Sequence, residues 1–110
     1  MSQKFKKASR LLKNPEYQAV FKTGIRVRHH FLTLIFAKSG QKRLGLVVGT
    51  RIGGAVVRNR IKRVIREGFR HWKDLLPSGD FVILPTPAAA KKTNSEIKTA
   101  LQQLFSKVTA

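Results

Sequence analysis

The stretch VVRNRIKRVIREGFR, residues 56 to 70, holds six Arg or Lys side chains and the single acid Glu67. Arg58, Lys62, Arg66 and Arg70 recur at every fourth position, the spacing that stacks side chains along one line of a helix. A solvated helix face gains from alternating signs, whereas like charges four apart cost about a few tenths of a kcal/mol each, so this run brings no local benefit. Its chemistry is recognition of a polyanion. Five of the six cations are Arg, whose planar fork suits bidentate bonds to phosphate and stacking on exposed bases.

At about 100° per residue, Val57, Ile61, Val64, Ile65, Gly68 and Trp72 share one apolar arc of roughly 100°. Arg58, Asn59, Lys62, Arg63, Arg66 and Arg70 fall on the opposite side, with Arg60 and Glu67 toward its edge. One face anchors the helix and the other is offered to a partner, with Arg side chains pointing away from the core.

The whole chain carries the same bias. In 110 residues there are 23 basic and 5 acidic side chains, a formal charge of +18, which folding tolerates where an anionic partner or salt relieves the self-repulsion. Glu16, Glu67, Asp74, Asp80 and Glu96 are too few and too scattered for a nuclease's metal ligands or acid and base pair, so no catalytic residue is assigned. Cysteine is absent, and His29, His30 and His71 lack companions for a metal site, so no metal or cofactor is assigned to the protein alone. The basic N-terminus is followed by no signal-peptide core, and apolar runs are too short to span a bilayer, which points to a cytoplasmic protein with no membrane partner.

The length and the 42% hydrophobic content fit one domain, residues 1–110, with residues 1–9 read as a flexible basic arm. In NPEYQAVFKTG, Asn14 can cap a helix, Pro15 suits its first position, Glu16 complements its dipole and Gly24 can end it; Tyr17, Val20 and Phe21 share a face. IRVRHHFLTLIFA reads as two strands or one bent strand, SGQKR as a turn, and RLGLVVGT as the next strand before GTRIGGA leads into the basic helix. FVILP is a short buried strand, and TPAAAKK a loop without packed structure. Thr93 and Glu96 form a capping box for a last helix whose stripe is Ile97, Ala100, Leu101, Leu104, Phe105 and Val108. The order predicts an α+β sandwich of one sheet with helices.

RIGGAVVRNRIKRVIREGFR, residues 51 to 70, closely resembles the signature helix of the bacterial ribonuclease P protein family, the protein subunits of the ribonucleoprotein that removes the 5′ leader of precursor tRNA. RLLKNPEYQAVFKTG resembles the family's first helix, RLGLVV its third strand and GDFVILP its fourth. The resemblance implies an αβββαβα two-layer sandwich, ribosomal-protein-like, whose four-stranded sheet contains a left-handed βαβ crossover; periodicity alone gives no such hand, and the general rule is right-handed. It implies that catalysis and Mg2+ belong to the RNA subunit, that the partners are the catalytic RNA and precursor tRNA, and that no protein partner is required.

By position, Arg58, Asn59, Arg60, Lys62, Arg63 and Arg66 match the family's residues facing the catalytic RNA. Arg51 stands where Lys is usual, and Arg70 continues the cationic stripe. Gly54 departs from the family, in which Asn is common there. The resemblance also implies a leader-binding cleft between the first helix and the sheet, with Tyr17 and Phe21 as its aromatic positions and Phe31, Thr33 and Ile35 on the matching strand face. On composition alone an aromatic pair at helical spacing is more often core; stacking of unpaired bases is its other use. The competing function is a ribosomal or RNA-chaperone-type structural RNA-binding protein.

Overall fold

The computed structural model describes residues 14–109. The basic arm read at residues 1–9 lies outside them, as do the side chains of residues 14–16, to which the start of the first helix was assigned. Helix α1 (Asn14–Thr23) leads into strands β1 (Ile25–His29), β2 (Leu32–Lys38) and β3 (Lys42–Leu46), helix α2 (Ala55–Trp72), strand β4 (Gly79–Pro85) and helix α3 (Asn94–Thr109).

IRVRHHFLTLIFA therefore forms two strands. They are joined by a tight turn at His30 and Phe31, where His30 takes a positive φ of 49°. The sheet order is β1-β2-β4-β3; β1 with β2 and β2 with β4 are antiparallel, while β3 and β4 run parallel and are connected through α2.

The faces follow from register. Val27, Leu34, Ile83 and Leu46 lie in one row across the sheet, flanked by Leu32, Phe36, Phe81 and Leu44, and this face packs on α2 and α3. Ile35, Val82 and Gly45 lie in a row on the other face, where Val20 and Tyr17 of α1 cover Ile35 and Val82. Helices on both sides bury β2 and β4 twice over, which is why those strands read as nearly continuous apolar runs instead of alternating ones. The sheet and its α2/α3 layer make the expected sandwich, and α1 crosses part of the opposite face.

Two expectations need correction. Phe69 lies outside the arc drawn for α2, yet it is fully buried with Ile61, Val64 and Ile65, in aromatic contact with Phe81 and Phe105. The α3 layer widens the buried stripe beyond what the sheet alone would cover. TPAAAKK, expected as a structureless loop, holds a 3-10 helix (Pro87–Lys91), with Ala89 N–H donating to Thr86 O at 2.9 Å and Lys92 N–H to Ala89 O at 3.1 Å. Pro at its start and a small Ala89 side chain, completely buried, let this turn pack closely. The capping box of α3 forms as read: Thr93 N–H donates to Glu96 Oε1 at 2.8 Å and Glu96 N–H to Thr93 Oγ1 at 3.1 Å.

Candidate nucleic-acid interface

Helix α2 presents its cations because its other side is held. Ile61, Val64, Ile65 and Phe69 are buried, Val57 and Trp72 pack partly against the same core, and at Gly68 α3 approaches so closely that a Cβ would stand 2.8 Å from Leu101 Cδ1. On the outer side Asn59, Arg63 and Arg70 are exposed, and Lys62 and Arg66 are half-buried. Arg51 is exposed on the loop that leads into the helix.

Arg58 and Arg60 are engaged within the protein. Arg58 donates from Nε to Gly53 O at 3.0 Å, folding back over the loop before its own helix. Arg60 donates from Nη1 to Asn94 Oδ1 at 2.7 Å and from Nη2 to Ala90 O at 3.2 Å, spanning α2, the 3-10 turn and the start of α3. Both guanidiniums keep further N–H donors for a ligand. Gly54 is the N-cap of α2: its carbonyl accepts from Arg58 N–H at 3.0 Å, it supplies no side-chain cap, and open space surrounds the position of an added Cβ. An Asn at this place would cap the helix.

The α1 side holds the second expected group, with one exception. Tyr17 and Phe21 sit with ring centroids 6.3 Å apart, tilted by 45°. Their burial differs: Tyr17 is half-buried over β3, Phe21 is 39% exposed, and Val20 between them is the core residue at 1%. Thr33 and Ile35 point to this face, Thr33 half-buried and Ile35 completely buried as its floor. Phe31 does not join them. It precedes β2 in the turn and packs into the core on the α3 side, with Lys92 Nζ 5.2 Å from its ring centroid. The alternation that places Thr33 and Ile35 together starts only once the strand does.

Arg26 and Arg28 belong to this face and were not singled out in the sequence. Register pairs Arg26 with Ile35 and Arg28 with Thr33, so these exposed guanidiniums lie on the same sheet face at its β1 edge, while Tyr17 sits over Gly45 of β3 at the other edge. The alternation in IRVRH held the signal, which needed the pairing partner to give it a side. Partly exposed aromatic rings and Arg side chains on one sheet face are an arrangement suited to unpaired RNA, with bases stacked and phosphates held by charge.

Two of the described acids are engaged within the protein. Asp80, 7% exposed, receives both arms of Arg43, from Nε to Oδ1 at 2.8 Å and from Nη2 to Oδ2 at 2.9 Å, and Glu96 is held in its capping box. Among the described residues no group of three or more His, Asp and Glu side chains is placed to hold a metal, and no helix is long and apolar enough to cross a membrane.

A half-layered α+β sheet carrying a one-sided arginine helix and an aromatic cleft defines a small basic RNA-binding protein. The family model described as Ribonuclease P matches residues 5–109. The chain is 42% identical to the ribonuclease P protein component of Bacillus velezensis over 105 residues, 93% of this chain and 90% of that one. It is 42% identical to that of Legionella pneumophila strain Lens over 109 residues, 96% and 94% of the two chains. Among solved structures, the RNase P protein of Staphylococcus aureus matches with a TM-score of 0.87 at 30% identity, covering 94% of this chain and all of that one. The RNase P protein of Thermotoga maritima matches with a TM-score of 0.80 at 29% identity, covering 90% and 96%. The chain belongs to the ribonuclease P protein family.

Proposed function

We propose that the chain binds the catalytic RNA of ribonuclease P through the outer face of α2, holds the 5′ leader of precursor tRNA on the α1 face of the sheet, and so assists endonucleolytic removal of that leader. Its place as a subunit of ribonuclease P follows from its family. The observation that carries the RNA-binding reading is the division of α2, with Ile61, Val64, Ile65 and Phe69 fully embedded while Asn59, Arg63 and Arg70 stand in solvent.

The protein's contribution is electrostatic and positional. Two polyanions repel as they meet, and a subunit of charge +18 between them offsets that repulsion and lowers the Mg2+ needed to hold them together. Bond cleavage belongs to the RNA subunit and the Mg2+ its phosphates bind. Asp80 is neutralised by Arg43 and Glu96 occupied at a helix cap, which leaves neither as a free general base. Such a subunit works in the cytoplasm, needs no membrane and requires no protein partner.

Purified protein, RNA subunit and the two together, each incubated with precursor tRNA across a Mg2+ series, test this. Protein freed of RNA is expected to leave the precursor intact at every Mg2+ concentration, and to shift cleavage by the RNA subunit toward lower Mg2+. Cleavage by the RNA-free protein would overturn the location of catalysis, and an unshifted Mg2+ dependence would overturn the assisting role.

A further inference from the structure

A cleft of about 390 Å³ lies between the β1–β2 turn and the first turns of α3, on the side of the sheet away from α1. That volume is within the usual range of small-ligand sites, on the order of one nucleotide. His29 and His30 stand at its mouth edge to face, with ring centroids 4.2 Å apart. His30 is exposed and holds the left-handed conformation of the turn, φ 49°, uncommon for a residue with a Cβ. Lys92 reaches over Phe31 from the other wall, and Ser95 and Gln103 add polar groups. Glu96 is the acid at the cleft, and its Oε1 accepts from Thr93 N–H.

The cleft continues the cationic side of α2. Arg60 reaches Ala90 O and Asn94 Oδ1, the two ends of the segment that bears Lys91 and Lys92. Cationic side chains thus run from Arg60 through Lys91 and Lys92 to the cleft, where Glu96 is the acid, and an RNA lying along α2 is led toward it.

We propose that this cleft is a third RNA contact, taking one unpaired nucleotide of the catalytic RNA with its phosphate among Lys92, His29 and His30 and its base stacked on an imidazole ring. The proposal rests on the reading of α2 as the surface for that RNA. The contact is linked to protons. His29 is held below the ordinary histidine value, first by desolvation, then by His30 and Lys107 beside it, against a raising hydrogen bond to Gln103. An incoming phosphate reverses that balance, so the imidazole takes up a proton on binding and the contact strengthens as pH falls.

The test is the affinity of the full-length protein for the catalytic RNA over a salt series at pH 5.5 and 7.5. The wild-type plot of log affinity against log salt is expected to steepen at the lower pH by about 0.7 to 0.9 for each histidine that becomes charged in the contact. The His29→Gln/His30→Asn double variant, with Asn chosen because it tolerates the turn, should lose the steepening while keeping its thermal unfolding transition. His71→Gln on α2 should retain it, and proton uptake by the RNA itself cancels between variants. A slope that does not respond to pH, or a steepening that survives in the double variant, would overturn the proposal. The same series on precursor tRNA binding to the assembled complex separates the sources: steepening found only there overturns the assignment to the catalytic RNA. A wild-type slope near zero at pH 7.5 would remove the α2 reading itself, a failure distinct from loss of the pH response alone.

Discussion

The ring of Tyr17 on α1 lies over the backbone of Gly45 on β3, so close that a Cβ on that residue would stand 2.7 Å from Cε1 and 2.9 Å from the phenolic oxygen. The glycine sets how near α1 comes to the sheet. Gly45→Ala should push Tyr17 outward and cost about 1 to 3 kcal/mol, as overpacking does. Thermal unfolding reads the cost, and the ratio of affinities for precursor and mature tRNA reads the displacement of the platform. A stable variant with unchanged leader discrimination would show that Tyr17 has no fixed position to lose.

Neighbouring residues of α1 separate stacking from packing. Phe21, 39% exposed, should lose less than about 1.5 kcal/mol of stability on change to Ala, since much of its ring is already in water. It should weaken binding of leader-bearing precursor relative to mature tRNA by about 1 to 3 kcal/mol. Val20→Ala should do the reverse, costing about 1 to 3 kcal/mol in unfolding with the leader preference intact. Equal stability losses at both positions would return Phe21 to the core.

The arginines of α2 should divide in the same way. Arg60→Ala removes the bonds to Asn94 and Ala90, and is expected to cost about 1 to 2 kcal/mol in stability as well as flattening the salt dependence of RNA binding. Arg63→Ala touches only the exposed face, so unfolding should move by less than about 0.5 kcal/mol while the salt slope falls by about 0.7 to 0.9. Unfolding and RNA titrations on the same two proteins check it, and a salt slope untouched in Arg63→Ala would count its charge as merely solvated.

Gly54 is a cap without a capping group, and the space around it is open. Gly54→Asn is expected to raise stability by about a few tenths of a kcal/mol, the difference between these residues at an N-cap. A denaturant titration resolving the midpoint shift decides the sign.

Glu96 supplies an acid-side prediction. Its carboxylate lies below the ordinary Glu value of 4.5, chiefly through the backbone hydrogen bond from Thr93. The folded state therefore favours the charged form, and the contribution is complete above 4.5 and lost as pH falls through the lower folded value. Unfolding followed from pH 6 to 3 should show a steeper fall for the wild type than for Glu96→Gln, which carries no titrating group there. Parallel curves would mean that the capping box is absent in solution.

Much of this protein could be read from its residue order, because periodicity and local chemistry are properties of short segments. The strand in FVILP, the capping box of Thr93 and Glu96, the stripe of α3 from Ile97 to Phe105 and the cationic side of α2 all follow from spacing and residue type. What spacing cannot state is which neighbour covers which side. Phe69 is buried because α3 lies beside α2, and Phe31 packs on the α3 side because a two-residue turn interrupts the alternation before β2 begins. Arg26 and Arg28 join the α1 face only through pairing with Ile35 and Thr33. Arg58 and Arg60 find carbonyl partners at Gly53 and Ala90 because long side chains choose among conformers by what the fold brings within reach. The histidine cleft has the same origin: His29 and His30 meet Lys92 and Gln103 across more than sixty residues of chain, a proximity created by packing α3 on the sheet and invisible to any local pattern.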